Sequence, residues 1–136
     1  NLGKKRVKSC GCLSQLPKGE AAIRYLFRSY KTKAIERKKQ FELTKLEFKT
    51  LISQTCCYCG KKPSQVTRRK TNGNYIYNGI DRIDNNIGYI LSNCRTCCGE
   101  CNHAKATMTE RDFLEMVYNI KSFREILDVN SIDYII

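Results

Sequence analysis

The residue types most able to do chemistry sit in two stretches, TCCYCGK at 55–61 and NYIYNGIDRIDNNIGYILSNCRTCCGECNHAK at 74–105. Cys56 with Cys59, and Cys98 with Cys101, both read Cys-x-x-Cys. Two such pairs this far apart predict one tetrahedral zinc site that ties the ends of a small substructure together. Cys94 and Cys97 share the spacing and compete for the second pair, and Cys57 competes beside the first. The Cys98 pair is preferred because it puts Asn102 and Lys105 at the start of a helix just beyond the ion. Four thiolates leave no open position, so this ion is expected to hold the fold and not to react. Cys10 and Cys12 are too close together for such a knuckle and read as free thiols.

Beside the cysteines lie Asp81, Asp84, Asn102 and His103. His103 is the single histidine, and histidine is the side chain that most readily takes a proton near neutral pH. Asp84 suits a turn cap or an additional metal ligand. Lys105 suits a phosphate contact or a place on a helix surface, and Tyr89, after Gly88, suits packing under a loop.

These residues need elements to position them. From Gly19 to Gln40, Ile23, Leu26, Phe27, Tyr30 and Ala34 recur at three and four, the period of a helix with one apolar stripe. Arg24, Arg28, Lys31 and Arg37 fall outside that stripe. Thr44 to Glu47 reads as a capping box, opening a short helix through about Ile52 with Leu46, Phe48, Leu51 and Ile52 facing inward. The CCYCGK turn follows, with Gly60 free to take a positive φ. Residues 61–74 read as a polar loop carrying Arg68, Arg69 and Lys70. A strand is expected from Tyr75 toward Asp81, a loop at Asn85–Gly88, a return strand from Ile90 to Arg95, and a helix from Gly99. Thr109 to Asp112 caps a last helix with Phe113, Met116, Val117 and Ile120 as its stripe. The organisation is therefore a basic arm at 1–18, a helical segment at 19–53, a metal-bound domain at 54–122 and an apolar tail at 123–136.

The chain has 136 residues, with 25 Lys and Arg against 13 Asp and Glu, a formal charge of +12. That excess suits a polyanionic partner held through phosphate contacts. Arg24, Arg28, Lys31, Arg37, Arg68, Arg69, Lys70 and Lys105 are the candidate DNA contacts. The odd count of nine cysteines, closely spaced, suits metal ligation in a reducing, intracellular compartment better than a disulfide framework. No run approaches the roughly 18 apolar residues of a membrane span, so no membrane partner is expected.

The pattern YNGIDRIDNNIGYILSN…CC..CN.AK, preceded by C.YCG, resembles the HNH endonucleases of the ββα-metal superfamily, especially zinc-bearing phage and restriction members. SYKTKAIERKKQFELTKLEF resembles the segment before C.YCG in phage members, so the similarity covers most of residues 19–120. The resemblance implies an α+β fold: a small ββα-metal core with a structural four-cysteine zinc site, flanked by helices. Residue by residue, Asp81 matches the acidic metal ligand, Asn102 the final His/Asn position, and Asn93 the middle Asn that braces the hairpin loop. Oxygen ligands of this kind suit Mg²⁺ or Mn²⁺, which would stabilise charge on the scissile phosphate and the leaving 3′ oxygen.

One position departs from the pattern. Where the family has its general-base His, this chain has Arg82, which does not accept a proton near neutral pH. Arg82 suits a phosphate clamp instead, and the proton acceptor is then Tyr58, where Asp-Arg members carry a Tyr, or Tyr77, or His103. The implied activity is metal-dependent cleavage of double-stranded DNA in a bacterial or phage-infected cell. A monomer would nick, and a homodimer would cut both strands.

Overall fold

The computed structural model describes residues 16–67 and 73–132. Cys10, Cys12, Arg68, Arg69 and Lys70 lie outside the described residues, as do most of the basic arm and the last residues of the tail. The architecture is α+β. Helix α1 (Glu20–Glu36) and helix α2 (Lys45–Ile52) precede strands β1 (Gln65–Thr67), β2 (Tyr75–Tyr77), β3 (Gly79–Arg82) and β4 (Cys94–Cys97). Helix α3 (Gly99–Lys105) and helix α4 (Glu110–Ile132) complete the order. The strands form two separate antiparallel ribbons, β1 with β2 and β3 with β4.

Local chemistry explains most of these boundaries. The α1 stripe packs as its spacing predicts: Ile23, Leu26 and Ala34 are buried, with Phe27 and Tyr30 against them. The helix stops at Glu36, not Gln40, because the chain reverses through Lys38 at φ 54°. It then docks on the hairpin loop, where Tyr89 donates to the Gln40 carbonyl at 2.8 Å and Glu42 donates to the Tyr89 carbonyl at 2.9 Å. A Cβ on Gly88 would collide with the Gln40 backbone, so that position takes only glycine.

Thr44 and Glu47 close both arms of the expected capping box. Phe48, Leu51 and Ile52 are buried, but Leu46 is 75% exposed, a correction to the inward set. It lies two residues before Phe48, about 200° round the helix and so on the outer face.

The strands also differ from the reading of the sequence. The segment at 61–74 contains β1, whose Val66 opposes Ile76. The run from Tyr75 to Asp81 is broken at Asn78, which is fully buried. Its N–H goes to the Ile52 carbonyl at 2.9 Å, and its side-chain amide goes to the carbonyls of Gln54 and Lys61 at 2.9 and 3.1 Å. Those bonds take Asn78 out of either ladder. The return strand begins only at Cys94, because Leu91–Asn93 forms a 3₁₀ turn.

One core joins the halves. Residues of α1 and α2 share it with Ile80, Tyr89 and Cys94, so packing runs across residue 53. The last helix begins as expected, with Asp112 donating its N–H to Thr109 Oγ1 at 3.1 Å. Phe113 is buried, whereas Val117 and Ile120 are exposed, and the helix runs past residue 123 into the expected tail. No helix among the described residues is long and apolar enough to cross a membrane.

Candidate functional site

The cysteine knuckle is built by two turns that meet. In the first, Gly60 at φ 72° lets its N–H return to the Cys56 carbonyl at 2.9 Å. In the second, Cys98 caps α3 and its sulfur accepts from the Cys101 N–H. The sulfurs of Cys56, Cys59, Cys98 and Cys101 all lie within 4.8 Å of one another, with Cys59 and Cys98 3.7 Å apart. Tetrahedral bonds of about 2.3 Å to zinc put neighbouring sulfurs about 3.8 Å apart, so the cluster can hold a metal such as zinc. Burial works against ionising Cys56, but backbone hydrogen bonds at Cys98, Cys59 and Tyr58 outweigh it and hold that thiol down at about 6.

The competing cysteines are placed differently. Cys94 lies in the main core, and burial pushes its thiol up to about 12. Cys97 is fully buried, and its sulfur bonds the Cys98 carbonyl. Cys57 is pushed up to about 11, by burial first and then by Cys56. The Cys98 pair therefore completes the cluster, and the Cys94–Cys97 pair does not.

Asp81 ends the buried part of β3 and is 3% exposed. Its Oδ2 accepts from the Tyr58 hydroxyl at 2.9 Å, and its Oδ1 accepts from Lys105 Nζ at 3.2 Å. Lys105 also donates to the Arg82 carbonyl at 3.2 Å and is itself 0% exposed. The phosphate contact or helix-surface place expected for Lys105 is thus corrected. The ammonium is the counter-ion of Asp81 and is not open to a phosphate. Its place on α3 explains this, because Asn102 and Lys105 are three residues apart and share the side of the helix that meets β3. Burial, then the bond to Asp81, pushes the Tyr58 phenol above its ordinary range. Tyr58 also packs edge-on against Phe113 at 5.2 Å, which joins the site to α4.

The hairpin loop is laced from within. Asn93 donates to the carbonyls of Asp84 and Gly88, each at 3.0 Å, and accepts from the Asp84 N–H at 2.9 Å. Asp84 accepts from the Asn86 N–H at 2.8 Å, the geometry of a turn cap. Arg82 donates to the carbonyls of Asn85 and Ile87 at 3.1 and 3.0 Å, and its guanidinium lies 5.2 Å from the Tyr89 ring centroid. Tyr89 packs in the core, as its position after Gly88 suggests.

The remaining candidates are spread around this centre. Asn102 is half-buried and His103 exposed on α3, while Tyr77 packs at the edge of the core. Arg24, Arg28 and Lys31 are exposed on α1 and Arg37 is exposed just after it, with Arg24 paired to Glu20 at 3.5 Å. Lys61 and Glu100 bridge the two cysteine turns at 2.6 Å. Asn78, which braces the junction of the two ribbons, was not singled out from the sequence; a lone Asn between two short apolar runs carries no signal of burial.

A helix laid on a two-stranded hairpin, with a cysteine knuckle at its start, defines an HNH-like fold. The solved structure of the rare-cutting HNH restriction endonuclease PacI has the same fold, with a TM-score of 0.53 over 90% of this chain and 88% of that one, at 20% identity. Uncharacterized protein R423 of Acanthamoeba polyphaga mimivirus is 40% identical over 97 residues, 71% of this chain. The matched region is 16% of that protein, so the chain spans about a sixth of its curated relative. No protein-family model matches. The relative is viral, but it is not a phage protein.

Proposed function

We propose that the chain is a metal-dependent DNA endonuclease or nickase with an HNH-type site. One observation carries the reading: Asp81 lies near the end of a hairpin strand against α3, the helix that presents Asn102, in a fold shared with an HNH restriction endonuclease. Zinc is the ion assigned to the four cysteines, in a structural role. Asp81 and Asn102 would hold Mg²⁺ or Mn²⁺, whose chemistry is to stabilise the charge that develops on a phosphodiester during hydrolysis.

The chain's own groups divide the remaining work. Asp81 supplies hard oxygen with acceptor capacity beyond its two bonds. Lys105 holds that carboxylate toward α3 through its bond to Oδ1. Arg82 has one terminal nitrogen committed to loop carbonyls and its other donors available to a phosphate. Tyr58 is the least suited proton acceptor, being a donor already. His103, exposed beside Asn102, is the acceptor to test first.

The experiment is incubation of the protein with supercoiled plasmid and Mg²⁺ or Mn²⁺, with EDTA and Asp81→Ala as controls. Metal-dependent nicking lost in both controls is expected; no nicking across several DNA substrates would refute it. A second reading, a zinc-containing nucleic-acid-binding module without catalysis, has one observation in its favour: both Asp81 oxygens are already engaged. It predicts salt-sensitive binding that Asp81→Ala leaves intact, and no cleavage with any metal.

A further inference from the structure

Between α1 and the β1–β2 ribbon runs a groove of about 390 Å³. Its volume falls within the roughly 300–1,000 Å³ of clefts that hold small ligands. Lys33 lines it from α1 and Arg37 from the cap just after that helix, Gln65 and Tyr77 line it from the ribbon, and Asn102 lines it from α3. No acidic residue is among its walls. Lys33 and Arg37 make no ion pair among the described residues, whereas Arg24 on the same helix is tied to Glu20.

Helix geometry separates two basic faces. Lys33 and Arg37 are four residues apart, about 6 Å along α1, and lie on the face that carries Leu26 and Tyr30. Arg24, Arg28 and Lys31 are also spaced at four and three, but they fall on the opposite side of the helix. Only one of these faces borders the groove. Tyr77 offers a ring to a base, and unpaired cations one turn apart offer donors to successive phosphates.

We propose that the strand to be cut runs through this groove, with Lys33 and Arg37 on its phosphates and Asn102 marking where the groove meets the reacting centre. The inference rests on the nuclease reading above and names the path of its substrate. It also divides the α1 basic residues: Arg37 belongs to the DNA path together with Lys33, while Arg24, Arg28 and Lys31 do not.

The test measures binding of a duplex oligonucleotide by fluorescence anisotropy across a salt series. The chains compared are the wild type, the pair K33Q/R37Q and the triple R24Q/R28Q/K31Q, each checked for an unchanged melting profile. The pair should lose roughly tenfold in affinity at low salt and flatten the log–log salt slope by about 1.8, two phosphates' worth. The triple should stay within about twofold of the wild type. Ser29→Leu, which fills the groove without removing charge, should weaken binding while leaving the slope near that of the wild type. A pair that binds like the wild type, or a triple that loses as much as the pair, overturns the proposal. A wild type that binds no DNA overturns both the groove and the nuclease reading; one that binds through the groove but never cuts overturns only the latter.

Discussion

The cysteine knuckle and the buried Asp81 cluster both draw on the same short helix, yet they treat charge in opposite ways. At the knuckle, four soft donors converge within 4.8 Å of one another, and the cation nearest in sequence, Lys61, is spent on Glu100. Four thiolates that close repel one another. At Asp81, by contrast, the chain provides its own counter-ion in Lys105, along with a hydroxyl from Tyr58. The first site is arranged to hold an ion. The second is satisfied without one, and an incoming divalent ion must compete with a buried ammonium. Under the proposed function, one metal would belong to folding and the other to chemistry.

That contrast is most easily broken at the knuckle. Cys98→Ser, or a strong chelator, should abolish cooperative thermal unfolding followed by circular dichroism. Binding at thiolate sites contributes on the order of 10 kcal/mol to such folds, comparable to a small domain's whole stability. A chelated chain that still melts cooperatively at the same temperature would remove the folding role.

Lys105→Met should have the next largest effect, about 3–5 kcal/mol in denaturant unfolding, because it strands a buried carboxylate. The double variant D81N/K105M should recover most of that loss, since both charges are gone. In the single Lys105→Met variant, Mn²⁺ should raise the melting temperature more than it does in the wild type, with the competitor removed. Equal shifts would mean that Lys105 and the ion do not share Asp81.

Asn93→Ala sharpens the comparison from the hairpin side. It removes three hydrogen bonds to the loop, and a loss of about 2–3 kcal/mol is expected from bonds of roughly 1 kcal/mol each. Zinc content should be unchanged, because the loop is not part of the knuckle. Thr44→Ala lies outside both sites and should cost about 1 kcal/mol through the lost cap. Glu47 sits below its ordinary carboxylate value because it accepts first from the Thr44 backbone and then from the Thr44 side chain. Its contribution is therefore present at neutral pH and fades as acid protonates it. The difference between wild type and Glu47→Ala should narrow as the pH falls through the carboxylate range.

How far the sequence reveals these features follows from how local each one is. The two Cys-x-x-Cys turns, the Thr44–Glu47 cap and the α1 stripe are written in spacings of three and four, and all were legible. Gly60 belonged to the same local grammar, whereas the Asn93 lacing was implied only by the family resemblance. What could not be read depends on packing between distant segments. Lys105 and Asp81 are 24 residues apart, and only the docking of α3 on β3 turns a surface-type lysine into a buried counter-ion. Asn78 breaks an apparent strand because carbonyls from the preceding helix and knuckle claim its donors. Strand β1 hides in a polar run, since its Val66 faces solvent. The exposure of Leu46 and of the outer turns of α4 is likewise decided by what lies opposite them.

The account is tested most directly by titrating Mn²⁺ into zinc-loaded protein and following it by electron paramagnetic resonance, with Asp81→Asn alongside. Zinc should stay bound throughout, and the wild type should take up Mn²⁺ at a site that the Asp81→Asn chain lacks. Mn²⁺ that binds both chains equally, or that displaces the zinc, would contradict the division of the molecule into one metal that folds it and one that reacts.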